Sequence, residues 1–229
     1  MTDSLPSLAP LSPEAMAAEY LACLLEPDGR RAGRMIEDGL SAGVDAATLY
    51  LGVIGPAMYE VGRLWETAEV SVAQEHLATQ ITQAVIASLG LHLAGGEPVG
   101  ASRVAIVAST PGELHALGAQ MVADFLEAQG WRVLALGPDT PAQELAALAQ
   151  ERAAAVIALS TSLPANLLSV TRTCQLLRRL PRPPFVVVGG RAYRGDVQRA
   201  YGVGADGFAD DPQALLTLLA ERFGADAPH

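Results

Sequence analysis

Arg103-Val104-Ala105-Ile106-Val107-Ala108, followed by Ser109-Thr110-Pro111-Gly112-Glu113-Leu114-His115-Ala116-Leu117-Gly118, is the stretch that decides the fold. A short apolar run ends in a Pro-Gly turn, and an amphipathic helix follows at about Ala116–Gln129. The same alternation repeats downstream. Strands are expected at Arg103–Ala108, Arg132–Leu136, Ala155–Leu159, Phe185–Val188 and a short Gly207–Phe208. Helices are expected between and after them, at about Pro141–Glu151, Leu167–Leu180, Arg194–Tyr201 and Pro212–Phe223. Strand-helix alternation predicts a five-stranded parallel sheet with right-handed crossovers, flavodoxin-like in order. Ligands of such sheets bind at the carboxyl ends of the strands, so the loops after strands one, three and four are where chemistry is expected.

Upstream the pattern changes. From Ser12 to about Ala94 the apolar residues recur at helical spacing, with no alternating run. Breaks at Pro27-Asp28-Gly29 and Gly43 predict helices over about Pro13–Leu25 and Arg30–Ala42; a third, from Asp45 towards Trp65, should be kinked or split by Pro56. A fourth runs from about Ser71 to Leu93. Four helices with short connections predict a small antiparallel bundle. Gly95-Gly96-Glu97-Pro98-Val99-Gly100 reads as a linker. The expected organisation is an N-terminal four-helix bundle over residues 12–94 and an α/β domain over residues 101–224.

Composition narrows the function. Of 229 residues half are apolar, yet no run of about 18 apolar residues appears and Met1 to Ser12 lack a basic segment followed by an apolar core. Neither a membrane span nor a signal peptide is indicated, and a cytoplasmic protein is expected. Cys23 and Cys174 form no metal or disulfide pattern. The formal charge of −10, without a basic run, argues against direct nucleic-acid binding. All fifteen basic residues are arginine, which excludes lysine Schiff-base chemistry and a lysine-bearing phosphate loop.

At the predicted strand ends stand Glu113 and His115 after strand one, Ser160-Thr161-Ser162-Leu163 after strand three, and Gly189-Gly190 after strand four. An imidazole is a good transition-metal ligand, and a carboxylate accepting its other N–H fixes the tautomer and raises its basicity. A lone histidine in such a turn is more often a cap or core residue, and Gly-Gly after a strand is by itself only a tight turn. Three loops together say more. They resemble the cobalamin-binding domain of methionine synthase and of corrinoid carrier proteins, whose signature is D-x-H-x-x-G, then S-x-L, then G-G. The spacings of 42 residues from Gly118 to Ser160 and 29 from Ser160 to Gly189 are close to that family's. The resemblance implies that His115 is the lower cobalt ligand, displacing the dimethylbenzimidazole base, with Glu113 as its partner. It implies that Ser160 and Ser162 bond the nucleotide tail while Gly118, Gly189 and Gly190 make room for it. Glu113 stands where most members have aspartate, and Ser162 where leucine is usual.

The helical segment adds Trp65, nine residues, then Glu75-His76. This W-x9-E-H pattern resembles that of the light-sensing cobalamin regulators, the carotenoid-gene photoreceptors and the antirepressors of photosynthesis genes. In that group the residues face the upper side of the corrin, light breaks the cobalt–carbon bond of adenosylcobalamin, and the cap histidine then takes the vacant position. Carried over, Trp65, Glu75 and His76 serve the upper face, and His76 is the possible upper ligand after photolysis. As neighbours on a helix, Glu75 and His76 diverge by about 100° and do not both point squarely at one ligand. His92 and His229 receive no role.

The usual regulator of that group carries an N-terminal winged-helix domain, whereas only Met1 to Leu11 precede the helices here. The resemblance therefore implies a stand-alone cobalamin photoreceptor, with adenosylcobalamin as the favoured cofactor, that signals through a protein partner or through self-association. A noncovalent bilin such as biliverdin beside the cobalamin stays open. A corrinoid methyl carrier for a methyltransferase, and cobalamin storage or delivery, are the alternatives. None of these gives the chain a nucleophile or acid/base pair of its own, so an independent enzyme is not expected.

Overall fold

A computed structural model describes residues 12–93 and 103–224. The chain divides into two compact units, with the boundary between His92 and Leu93. The glycine-rich stretch 95–100 expected as a linker, the outer limits 94 and 101 of the two expected domains, and His229 lie outside the described residues.

The first unit is helical. Helix α1 (Pro13–Leu25) is capped by Ser12, and α2 (Gly29–Ser41) by Asp28, each side chain accepting a backbone N–H that the first turn would leave unpaired. The expected third helix is one continuous path in three pieces. Helix α3 (Ala46–Thr48), capped by Asp45, runs into a π-helical turn over Leu49–Ile54, and α4 (Gly55–Glu66) follows. Pro56, at the start of α4, has no N–H to give, and Gly55 N–H reaches back five residues to the carbonyl of Tyr50. The proline thus neither splits nor stops the helix; the backbone widens by one residue just before it. Helix α5 (Val72–Leu93) starts in a reciprocal box: Ser71 Oγ accepts Gln74 N–H at 3.3 Å while Gln74 Oε1 accepts Ser71 N–H at 2.9 Å. Tyr20, Leu24, Leu49, Tyr50, Ile54, Ile86 and Leu89 form its core. Two buried phenols are satisfied there: Tyr20 donates to Thr82 Oγ1 and Tyr50 to the Ile86 carbonyl, both at 3.2 Å.

The second unit is a five-stranded parallel sheet in the order β2-β1-β3-β4-β5, flanked by helices. Its strands are β1 (Val104–Ser109), β2 (Arg132–Gly137), β3 (Val156–Ser160), β4 (Phe185–Gly189) and β5 (Gly207–Phe208). Along β1, Ile106 and Ala108 face one core, with Ile157, Val170, Cys174, Val186 and Tyr193. Ala105 and Val107 face the other, with Ala123, Leu126, Trp131, Val187 and Leu219. Burial on both faces is why these strands are continuous apolar runs in the sequence.

The helices are α6 (Leu117–Ala128), α7 (Ala142–Glu151), α8 (Leu167–Leu177), α9 (Val197–Gly202) and α10 (Pro212–Phe223). Helix α9 differs from expectation. Arg194 (φ 51°) and Gly195 (φ 70°) are left-handed, so a 3-10 turn over Arg191–Tyr193 stops before them and α9 restarts at Val197, capped by Asp196. Because β2 and β3 flank β1 on opposite sides, the chain direction switches between β1 and β3. The loops 110–116 and 161–166 meet at that switch point, where α/β sheets place their ligands.

Candidate cobalamin site

Glu113 organises the switch point. It is fully buried, and its two oxygens divide the work. Oε1 accepts the His115 backbone N–H at 3.1 Å and contacts His115 Nδ1 closely. Oε2 accepts the backbone N–H groups of Ser162 and Leu163 at 2.8 and 3.0 Å and the Asn166 side-chain amide at 3.1 Å. One carboxylate therefore ties the loop after β1 to the loop after β3. Burial alone would raise its pKa, but the His115 ring and the three backbone donors outweigh it and hold the carboxyl down to about 2. It is an anion at every ordinary pH.

His115 is held from three directions. Its ring meets Glu113, its backbone N–H is bonded to the same carboxylate, and its carbonyl accepts the Ser109 hydroxyl at 2.9 Å. The imidazole is nevertheless 40% exposed. With Nδ1 committed to the carboxylate, Nε2 is the nitrogen through which a metal would be bound, and the buried anion would strengthen it as a donor. Among the described residues no group of three His, Cys, Asp or Glu side chains is placed to hold a metal ion. A metal at His115 would thus bring its other ligands with it, as the cobalt of a corrinoid does, and the donor set fits that group.

The remaining strand-end residues are close by. The Ser162 backbone joins the knot, and Ser160 Oγ lies opposite Gly118, where a Cβ would come within 3.1 Å of it. The space a Cβ would need at Gly189 is taken by the Ala209 carbonyl and at Gly190 (φ 103°) by the Thr161 carbonyl, so both glycines are required by this chain's own backbone contacts. Asn166, Asp139 and Thr110 were not anticipated. Asn166 also donates to the Gly112 carbonyl at 3.3 Å, Asp139 Oδ1 accepts Gly112 N–H at 2.8 Å, and the Thr110 hydroxyl bonds that of Thr161 at 2.6 Å. Each is an ordinary loop residue in sequence, and no motif points to it.

Trp65, Glu75 and His76 belong to the helical unit. Trp65 lies in the last turn of α4 and His76 in the second turn of α5, so both sit at the end of the bundle where these helices join. Trp65 is 37% exposed and the His76 side chain 72%, whereas Glu75 is partly buried and accepts the Thr79 hydroxyl at 2.9 Å. Glu75 Oε2 and His76 Nε2 are 3.6 Å apart, so the neighbours touch while facing different surroundings.

Both units match B12 binding domain models, over residues 103–217 and residues 16–89, and the chain belongs to this cobalamin-binding family. It is 32% identical over 182 residues to the HTH-type transcriptional repressor CarH of Myxococcus xanthus, covering 79% of this chain and 59% of that protein. It is 28% identical over 170 residues to a corrinoid protein of Desulfitobacterium hafniense strain Y51, covering 72% of this chain and 77% of that one. The chain thus spans about three fifths of the repressor's length. Among solved structures, the monomethylamine corrinoid protein of Methanosarcina barkeri shares the fold, with a TM-score of 0.81 at 18% identity over 93% of this chain and 100% of that one. The chain is a cobalamin-binding protein. No helix among the described residues is long and apolar enough to cross a membrane.

Proposed function

We propose that this protein is a cobalamin-dependent light sensor. In this reading His115 is the lower cobalt ligand, oriented by Glu113, and Ser160, Ser162, Gly118, Gly189 and Gly190 receive the nucleotide tail. Trp65, Glu75 and His76 serve the upper face. When bound, adenosylcobalamin supplies a cobalt–carbon bond that visible light breaks. The chain's part is to hold the cofactor from below, to place an aromatic ring where the upper ligand is sensed, and to offer an imidazole once that ligand has gone.

The observation that carries the reading is the display of Trp65 and His76. An indole in a helical bundle ordinarily fills the core, yet this one is 37% exposed, and the nearby imidazole is 72% exposed. The 32% identity to CarH over most of the chain supports it. The signal would pass to a protein partner or to the protein's own association, through the different affinities of the two cofactor states for two arrangements of the chain. A corrinoid carrier for a methyltransferase is the second reading, favoured by the likeness to the Desulfitobacterium corrinoid protein. Exposed Trp65 and His76 weigh against it, because a carrier's upper face must stay open to two enzymes.

The test is the absorption spectrum of the chain loaded in the dark with adenosylcobalamin, before and after green light, in wild type and in His76→Ala. Conversion to a stable bis-imidazole spectrum in wild type alone is expected. An aquo spectrum in both proteins would move the carrier reading ahead.

A further inference from the structure

Helix α5 is covered along one side only. Ala78, Thr82, Val85, Ile86 and Leu89 turn into the bundle core at helical spacing. The opposite side is the unusual one. Leu77, 48% exposed, and Leu91, 78% exposed, stand seven residues to either side of the exposed Ala84, so the three share one line along the helix. Exposed Ala73, Gln80 and Ala87 run beside that line. After Glu75 the helix contains no Asp, Glu, Lys or Arg, although acidic residues abound in the rest of the described helical unit. A solvated helix face carries charges. An outward face that carries leucine at a seven-residue repeat and no formally charged residue has the pattern of a seam with another helix.

We propose that this face of α5 is a self-association surface, on which a second copy of the chain lays its own α5 antiparallel, with Ala84 on the two-fold axis. Three features select a second copy as the occupant. The spacing is self-complementary: the two leucines are equidistant from Ala84, so reversing the helix brings Leu77 of one copy opposite the partner's Leu91. Side-chain size agrees, because Ala84 and Ala87 near the middle let the helix axes approach to about 8 Å while the leucines fill the ends. Charge agrees as well. The chain carries a formal charge of −10, so two copies repel, and a neutral strip lets them touch without setting like charges together. A helix of 22 residues is about 33 Å long. One such seam falls at the small end of specific interfaces, near about 1,200 Å² in total, so the dimer is expected to depend on concentration. The inference gives self-association a surface and depends on neither cobalamin nor light.

The experiment follows the full chain by sedimentation over a range of concentrations and by mild oxidation of variants that each gain one cysteine; Cys23 and Cys174 are buried and do not compete. Wild type is expected to pass from monomer to dimer. Ala84→Arg, which sets two guanidinium groups on the axis, should weaken the dimer about a hundredfold, whereas Glu37→Arg, an exposed charge reversal on α2, should not weaken it. Ala84→Cys should become a disulfide-linked dimer. Leu77→Cys and Leu91→Cys should not crosslink alone, because the antiparallel pairing holds like positions about 21 Å apart, but should crosslink when mixed. At the lowest concentration, where wild type is also monomeric, Ala84→Arg should keep the wild-type thermal midpoint, which separates loss of the seam from loss of the fold; if the midpoint moves, the cysteine pattern decides. A wild type that stays monomeric, a dimer indifferent to Ala84→Arg, or Leu77→Cys crosslinking with itself would each overturn the proposal.

Discussion

At the scale of the residue, Glu113 holds two loops together, one with each oxygen. The carboxylate two residues before a histidine was plain in the sequence, and its pairing with the ring could be expected. Its second oxygen could not. Three donors from residues 162–166 converge there, and nothing in Ser162-Leu163-Pro164-Ala165-Asn166 announces it, because two of the three are backbone groups that any residue carries. The knot has a pH signature. Glu113 ionises at about 2 in the folded chain against an ordinary value of 4.5, so its contribution is complete above 4.5 and is lost as pH falls from there towards 2. That difference corresponds to roughly 3 kcal/mol. Urea midpoints measured between pH 6 and pH 2.5 should therefore fall more steeply in wild type than in Glu113→Gln, which starts lower and changes less; parallel curves would show that the carboxylate is not the group titrating.

At the scale of the element, the strands and most helices were legible because burial on both sheet faces writes continuous apolar runs, and caps such as Ser12, Asp28 and Asp211 mark helix starts. What escaped were departures from regular geometry. The expected helix from Arg194 fails because two left-handed residues interrupt it, and the π-helical turn before Pro56 has no periodicity of its own. Glycine shows how local geometry decides a cost. Gly190→Ala places a Cβ against the Thr161 carbonyl at φ 103°, and should destabilise the second unit by about 2–4 kcal/mol. Gly137→Ala, at φ 76° with open space around it, should cost about 1 kcal/mol. Equal urea midpoints for the two variants would mean that the Thr161 carbonyl yields freely.

At the scale of the whole molecule, the division into a helical unit and an α/β unit was readable from the change of period near residue 94. The acidic excess is uneven: acidic residues outnumber basic ones in the described part of the helical unit and balance them in the α/β unit. Ligand linkage follows from the site. Saturating hydroxocobalamin, at about a thousand times its dissociation constant, should stabilise the unit that binds it by about 4 kcal/mol. A thermal scan should show an upward shift with the cofactor and a much smaller one in His115→Ala. No shift in wild type would count against the site, and an equal shift in both proteins would relieve His115 of its role.

The π-helical turn over Leu49–Ile54 has a consequence at the other end of α4. Successive residues of an α-helix step around its axis by about 100°. Because the wide turn absorbs one extra residue, deleting one residue from it would let the backbone close as a regular helix with Trp65 still turned to the same side. Deleting one residue from the regular part of α4 would instead rotate everything after it by one such step. A change of chain length is thus tolerated at the π-turn and read as a different face only beyond it.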